Sequence, residues 1–189
     1  MALSSVWDRD IERVLLSRVE IDHLTTRIAA LLDRDYAKAE RVLLLGILKG
    51  SVVFMGDLMR KMTIPVEIDF MKVSSYTSGT ESSGRINILL DLNRRDLSMC
   101  DVIVIEDIID SGRTLSYLVD YLKLNGAHSV RTCTLLDKPS RRVVDFTPDY
   151  VGTLIPDEFV VGYGLDYAEQ YRTLPYIGIL KPEIYTKKK

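Results

Sequence analysis

Residues 102–114 read VIVIEDIIDSGRT. Val102, Ile103, Val104 and Ile105 are four β-branched residues in a row, which suits a strand buried on both faces, as in a parallel sheet. Two carboxylates, Glu106 and Asp107, follow at once; then come a third, Asp110, and a small turn at Ser111 and Gly112. A helical run starts near Thr114 and Leu115. A strand that ends in acids and feeds a glycine-containing loop at a helix start can hold a phosphate. Free backbone N–H groups and the helix dipole face an anion there. The acids would repel that phosphate if they were its ligands, and they fit better as acceptors for sugar hydroxyls or for magnesium.

Outward from this stretch, strands and helices alternate. Ser17 and Glu20 form a capping-box pattern, and Ile21, Leu24, Ile28, Leu31 and Leu32 follow as one apolar helical stripe that belongs in a core. Residues 42–47 read as a buried strand, 52–62 as a helix, and Pro65 marks the way into a strand over 66–74. Residues 86–90 read as the partner of that strand. The Gly-, Ser- and Thr-rich segment between them is too polar to pack and is expected to be mobile. A helix over 115–124 stops at Asn125-Gly126, and strands follow over 130–136, 150–155 and 176–179. This alternation predicts an α/β fold: a mainly parallel central sheet with helices on both faces and a ligand beyond the carboxyl ends of its strands.

The totals narrow the classes. The chain has 189 residues, 47% of them hydrophobic, enough for one globular domain with a real core. A net charge of −2 argues against a broad basic face for nucleic acid. Lys187, Lys188 and Lys189 read as a solvated tail. Cys100 and Cys133 have neither metal-ligand nor redox spacing and are expected to pack in a reducing compartment. No apolar run has membrane length, and residues 1–13 lack a secretory pattern, so the cytoplasm is the expected location.

Residues 106–114, EDIIDSGRT, resemble the phosphoribosyl pyrophosphate (PRPP) motif of type I phosphoribosyltransferases, in the form of the hypoxanthine-guanine branch. The likeness spans about residues 42–179. It implies one phosphoribosyltransferase domain over 1–189. The core would span about 40–155, with a small hood from the N-terminal residues and about 156–189, and a flexible catalytic loop. It also implies transfer of 5-phosphoribose from PRPP to N9 of a 6-oxopurine, with Mg2+ as cofactor. Glu106 and Asp107 would then hold the ribose hydroxyls, directly or through the metal, and Asp110 would accept a proton near N7 as the catalytic base. Ser111, Gly112, Arg113 and Thr114, with the Asp110 N–H, would cradle the 5′-phosphate.

Further motifs extend the likeness. Gly46-Ile-Leu-Lys-Gly-Ser51 taken alone is an ordinary helix-opening turn, and its spacing is not that of a P-loop. By resemblance it is the pyrophosphate loop, with Lys49 and Gly50 presenting backbone N–H groups; in relatives the peptide matching Leu48-Lys49 is often cis. Ser75 and Tyr76 open the segment resembling the catalytic lid, which would exclude water from an oxocarbenium-like centre and bring both residues to the diphosphate. Lys138 matches the donor to the purine 6-oxo group, and a cation there disfavours adenine. Phe159 would stack on the purine, and Val160 would read its edge through the backbone. Asp166 would help hold a second magnesium and meet a 2-amino group, and Arg172 would contact the diphosphate. Arg142 matches a basic position of open role.

Three other readings stand beside this one. A xanthine-preferring transferase is the nearest. A PRPP-sensing RNA-binding regulator would typically lack an acid at position 110 and would need a basic face. A PRPP synthetase would need a longer two-domain chain and an ATP site. The expected partners are PRPP and a 6-oxopurine, without nucleic acid or membrane, in a homodimer or homotetramer.

Overall fold

The computed structural model describes residues 6–75, 86–93 and 96–186. Tyr76 and the rest of the expected lid, through Arg85, lie outside the described residues, and nothing is described of the Ser75 side chain.

A six-stranded sheet forms the centre. Its order is β4 (Ile86–Leu90), β3 (Glu67–Ser75), β2 (Val42–Ile47), β5 (Asp101–Ile109), β6 (Ser129–Asp137) and β7 (Tyr150–Leu154). Every neighbouring pair is parallel except β3 with β4, the antiparallel edge. All six residues of β2 are buried, as an inner strand covered on both faces must be.

The pleat divides the apolar residues between two cores. Leu44, Ile103 and Ile105 join a cluster with Ile21, Ile28 and Leu32 of α1 (Arg18–Asp35) and Phe54, Met55 and Leu58 of α2 (Ser51–Lys61). Leu43, Leu45, Val102 and Val104 join the opposite cluster with Leu115, Leu118 and Leu122 of α3 (Arg113–Leu124). Each such side chain contributes roughly 1.5–3 kcal/mol on leaving water. Cys100 and Cys133 are buried, one in each core.

The capping box predicted at α1 is formed: the Glu20 amide donates to Ser17 Oγ at 3.3 Å, and the Ser17 amide donates back to Glu20 Oε2 at 2.7 Å. The Asn125-Gly126 stop also forms, with the Ala127 amide returning to the Leu122 carbonyl at 3.1 Å.

A second, antiparallel sheet has the order β1 (Ile11–Leu16), β9 (Ile177–Leu180), β8 (Val160–Val161). The sequence reading did not anticipate β1 or the two-residue β8. Short α4 (Pro182–Tyr185) follows β9. Among the described residues no helix is long and apolar enough to cross a membrane.

One connection decides where a site can lie. From β2 the chain crosses through α2 to β3 on one side, and from β5 it crosses through α3 to β6 on the other. The order therefore reverses between β2 and β5, and a crevice opens at their carboxyl ends, where open α/β sheets bind ligands.

Candidate active site

A cleft of about 570 Å3 lies at this reversal. It is lined by Ile47–Gly50 at and beyond the end of β2, by Glu106–Ile108 within β5 and by Asp110 just after it; Lys138, Phe159, Val160, Asp166 and Arg172 also line it. A smaller cavity continues from Glu106 along Asp110, Ser111, Gly112 and Thr114 to Leu115, at the start of α3. Nearly all the residues singled out in the sequence thus meet in two adjoining spaces. Arg113, the first residue of α3, lines neither.

The acids sit differently from the first expectation. The sequence ended the strand near Ile105, but β5 runs on to Ile109 because β6 continues beside it, pairing Glu106 with Thr134 and Ile108 with Leu136. Glu106 and Asp107 are therefore strand residues rather than loop residues, which fixes where their carboxylates emerge. Burial, then the nearby Asp107 and Asp110, pushes the Glu106 carboxyl up to about 8. Burial also raises Asp107, to about 6, with Asp166 adding to the rise, while backbone hydrogen bonds and the charge of Arg172 pull the other way.

The turn at 110–112 leads into the start of α3, where backbone amides can meet an anion. Gly112 takes φ +79°, the left-handed conformation that side chains resist, and caps α3 without any side-chain hydrogen bond. The Arg113 amide donates to Ser111 Oγ at 3.4 Å, and the other amides of the first turn of α3 can serve a ligand in the cavity. Arg142, whose role was open, braces this turn from behind. Its guanidinium donates to the Asp110 carbonyl at 2.5 Å and pairs with the buried Asp137 carboxylate.

On the other wall, the Leu48-Lys49 peptide is cis. Gly50 is obligatory for space, since a Cβ there would fall 1.7 Å from Asp107 Oδ2. Lys49 Nζ meets Glu169 Oε1 at 2.9 Å, while Arg172 reaches Asp166 at 2.9 Å and Glu169 at 3.4 Å. Two cations and two acids thus form one cluster beside Gly50. Glu106, Asp107 and Asp166 all line the cleft, but among the described residues no three His, Cys, Asp or Glu converge into a ready metal cage.

At the far end Lys138 is almost fully buried. Its ammonium donates to the Glu158 carbonyl at 2.9 Å and lies 3.7 Å from Asp110 and 3.9 Å from Asp157. Arg141, not anticipated, lines the cleft and holds Asp157 at 2.7 Å. Phe159 keeps 37% of its surface exposed, which leaves apolar ring area open to the cleft.

The chain resembles known proteins along most of its length. Residues 17–168 match the model of the phosphoribosyl transferase domain. The hypoxanthine-guanine phosphoribosyltransferase of Streptococcus mutans is 53% identical over 180 residues, which cover 95% of this chain and 99% of that protein. The chain belongs to the phosphoribosyltransferase family, in its hypoxanthine-guanine branch. A hypoxanthine phosphoribosyltransferase of Staphylococcus aureus superposes with a TM-score of 0.92 at 47% identity, over 97% of this chain and 99% of that one. The bifunctional protein TilS/HprT of Listeria monocytogenes is 54% identical over 94% of this chain, and the chain spans only 27% of that relative's length. The part of the chain that matches the phosphoribosyl transferase domain includes β5 and α3.

Proposed function

We propose that this protein transfers 5-phosphoribose from PRPP to N9 of hypoxanthine or guanine, giving the nucleoside monophosphate and pyrophosphate. The observation that carries the reading is the line-up along one crevice: a glycine-capped helix start, then half-buried strand carboxylates, then a sequestered lysine beside an exposed phenylalanine.

In this reading the 5′-phosphate lies on the amides of Ser111, Gly112 and Thr114, with Arg113 adding positive charge from the helix start. Glu106 and Asp107 hold the ribose hydroxyls. The diphosphate lies toward Lys49, Gly50 and Arg172, with Ser75 and Tyr76 closing over it. The base stacks on Phe159, receives a hydrogen bond from Lys138 at its 6-oxo group, and has its edge read by the Val160 backbone and Asp166. N9 attacks the anomeric carbon as the bond to the diphosphate oxygen breaks, and Asp110 accepts the proton released at N7. Alignment and charge stabilisation supply most of the rate.

The oxygen donors fit Mg2+, which commonly takes one or two carboxylates and completes its shell with water and substrate phosphate. Glu106, Asp107 and Asp166 line the same cleft, and their shared negative charge supports the fit because a cation offsets it. Glu106 and Asp107 would hold one metal ion and Asp166 would help hold a second, supplying charge neutralisation for the leaving diphosphate.

The same reading divides the chain into a core over about 40–155 and a hood from the N-terminal residues and about 156–189. The separate sheet of β1, β9 and β8 supports that division. It places the protein in the cytoplasm as a homodimer or homotetramer; the exposed Val52, Val53 and Met59 on α2 offer an apolar surface for self-association. Steady-state kinetics with hypoxanthine, guanine, xanthine and adenine side by side test the function. Turnover of the first two is expected, and a preference for adenine or a lack of any turnover would refute it.

A further inference from the structure

The C-terminal helix contributes an aromatic side chain to the cleft that no motif pointed to. Tyr185, the last residue of α4, lines the cleft together with Ile108, Lys138 and Phe159. Its ring lies on that of Phe159, with centroids 4.7 Å apart and planes inclined by 19°. Tyr167 meets Phe159 edge-on, at 5.6 Å and 87°. Parallel and perpendicular contacts together fix the orientation of a ring better than either alone, because both follow the aromatic quadrupole.

The backbone holds this arrangement in register. The Leu180 amide donates to the Phe159 carbonyl at 2.9 Å, so the end of β9 is tied to the residue Tyr185 covers. Lys181 then anchors the turn into α4: its amide donates to the Asp10 carbonyl at 3.0 Å and its ammonium to the Arg9 carbonyl at 2.6 Å. The turn closes through the Ile184 amide to the Lys181 carbonyl at 3.0 Å. Tyr185 is thus delivered to the cleft by a sheet edge rather than left on a loose tail.

We propose that Tyr185 is a positioning residue for the nucleobase: it backs Phe159 and fixes the plane on which a flat aromatic ligand stacks. The inference rests on the transferase reading above and deepens it. Binding of the base then draws on a three-ring platform of Phe159, Tyr167 and Tyr185 rather than on one mobile ring. The diphosphate cluster at Lys49 and Arg172 has no part in it.

The test is steady-state kinetics of full-length Tyr185→Ala and Tyr185→Phe beside the unaltered protein, varying base and PRPP separately, with thermal unfolding of each. Tyr185→Ala is expected to raise KM for the base about fivefold, the worth of one stacked aromatic contact. Its kcat and its KM for PRPP should stay within about twofold of the parent. Tyr185→Phe keeps the ring and should behave like the parent. An unchanged base KM in Tyr185→Ala would overturn the proposal. So would a lowered one, which would make the ring a plug in the base's place. A loss spread equally over kcat and both KM values, or a Tyr185→Phe variant as impaired as Tyr185→Ala, would also overturn it. Absence of turnover in the unaltered protein would remove the transferase reading and this inference together, whereas normal parental turnover with an unmoved base KM removes the inference alone.

Discussion

Asp110 carries the sharpest prediction at the scale of single residues. Its carbonyl is held by Arg142 and its carboxylate lies 3.7 Å from the Lys138 ammonium, so the side chain stands between the phosphate turn and the base end of the cleft. Asp110→Asn preserves shape and removes the proton acceptor. Turnover should fall by about 10²–10⁴-fold, the range of general-base contributions, with PRPP binding changed far less. Single-turnover rates and PRPP titrations check this, and equal turnover in the variant would remove the base assignment. Asp110 stands out in the sequence as an acid beside a Ser-Gly turn after an apolar strand, and its role as base comes from the family resemblance. Arg142 was not, because its partners, the Asp110 carbonyl and the Asp137 carboxylate, are brought to it only by the pairing of β5 with β6. Tyr185 was hidden for the same reason. Nothing in the local pattern of a short C-terminal turn says that a sheet edge will carry it back to Phe159.

Among the elements, the joint between β5 and α3 matters most. Gly112→Ala places a Cβ at φ +79° and 2.9 Å from Arg142 Cδ, so both backbone strain and crowding act on the phosphate turn. A loss of about 1–2 kcal/mol in stability is expected, with a raised KM for PRPP. Chemical denaturation together with PRPP kinetics would detect it, and a variant with parental values in both would contradict the cradle. Strand and helix positions were mostly readable, because β2 and β5 are continuous apolar runs and α1 shows helical spacing. The end of β5 was misplaced, since Glu106 and Asp107 look like loop residues until β6 pairs with them. The two residues of β8 are too few to show any period.

For the whole molecule, the acid cluster couples folding to pH and to ligand. The folded protein holds a proton on Glu106 up to about pH 8, whereas an unperturbed glutamate releases it near 4.5. Asp107, raised to about 6, acts in the same direction. The folded state binds more protons across this window, so stability is greatest below it and is lost as pH rises through it. Melting of the ligand-free protein should therefore drop by on the order of 5 °C between pH 5 and pH 8. Magnesium with PRPP should stabilise more at pH 8 than at pH 5, because binding then relieves ionised carboxylates. Thermal unfolding with and without ligand measures both, and a flat profile would mean that the acids are not coupled to the fold in this way.

The measurement closest to the central claim is a crystal structure of the protein with inosine or guanosine monophosphate. The account predicts the 5′-phosphate about 3 Å from the amides of the turn that begins α3, with the purine against Phe159. A monophosphate bound on any other surface, or with its base away from Phe159 and Lys138, would contradict it.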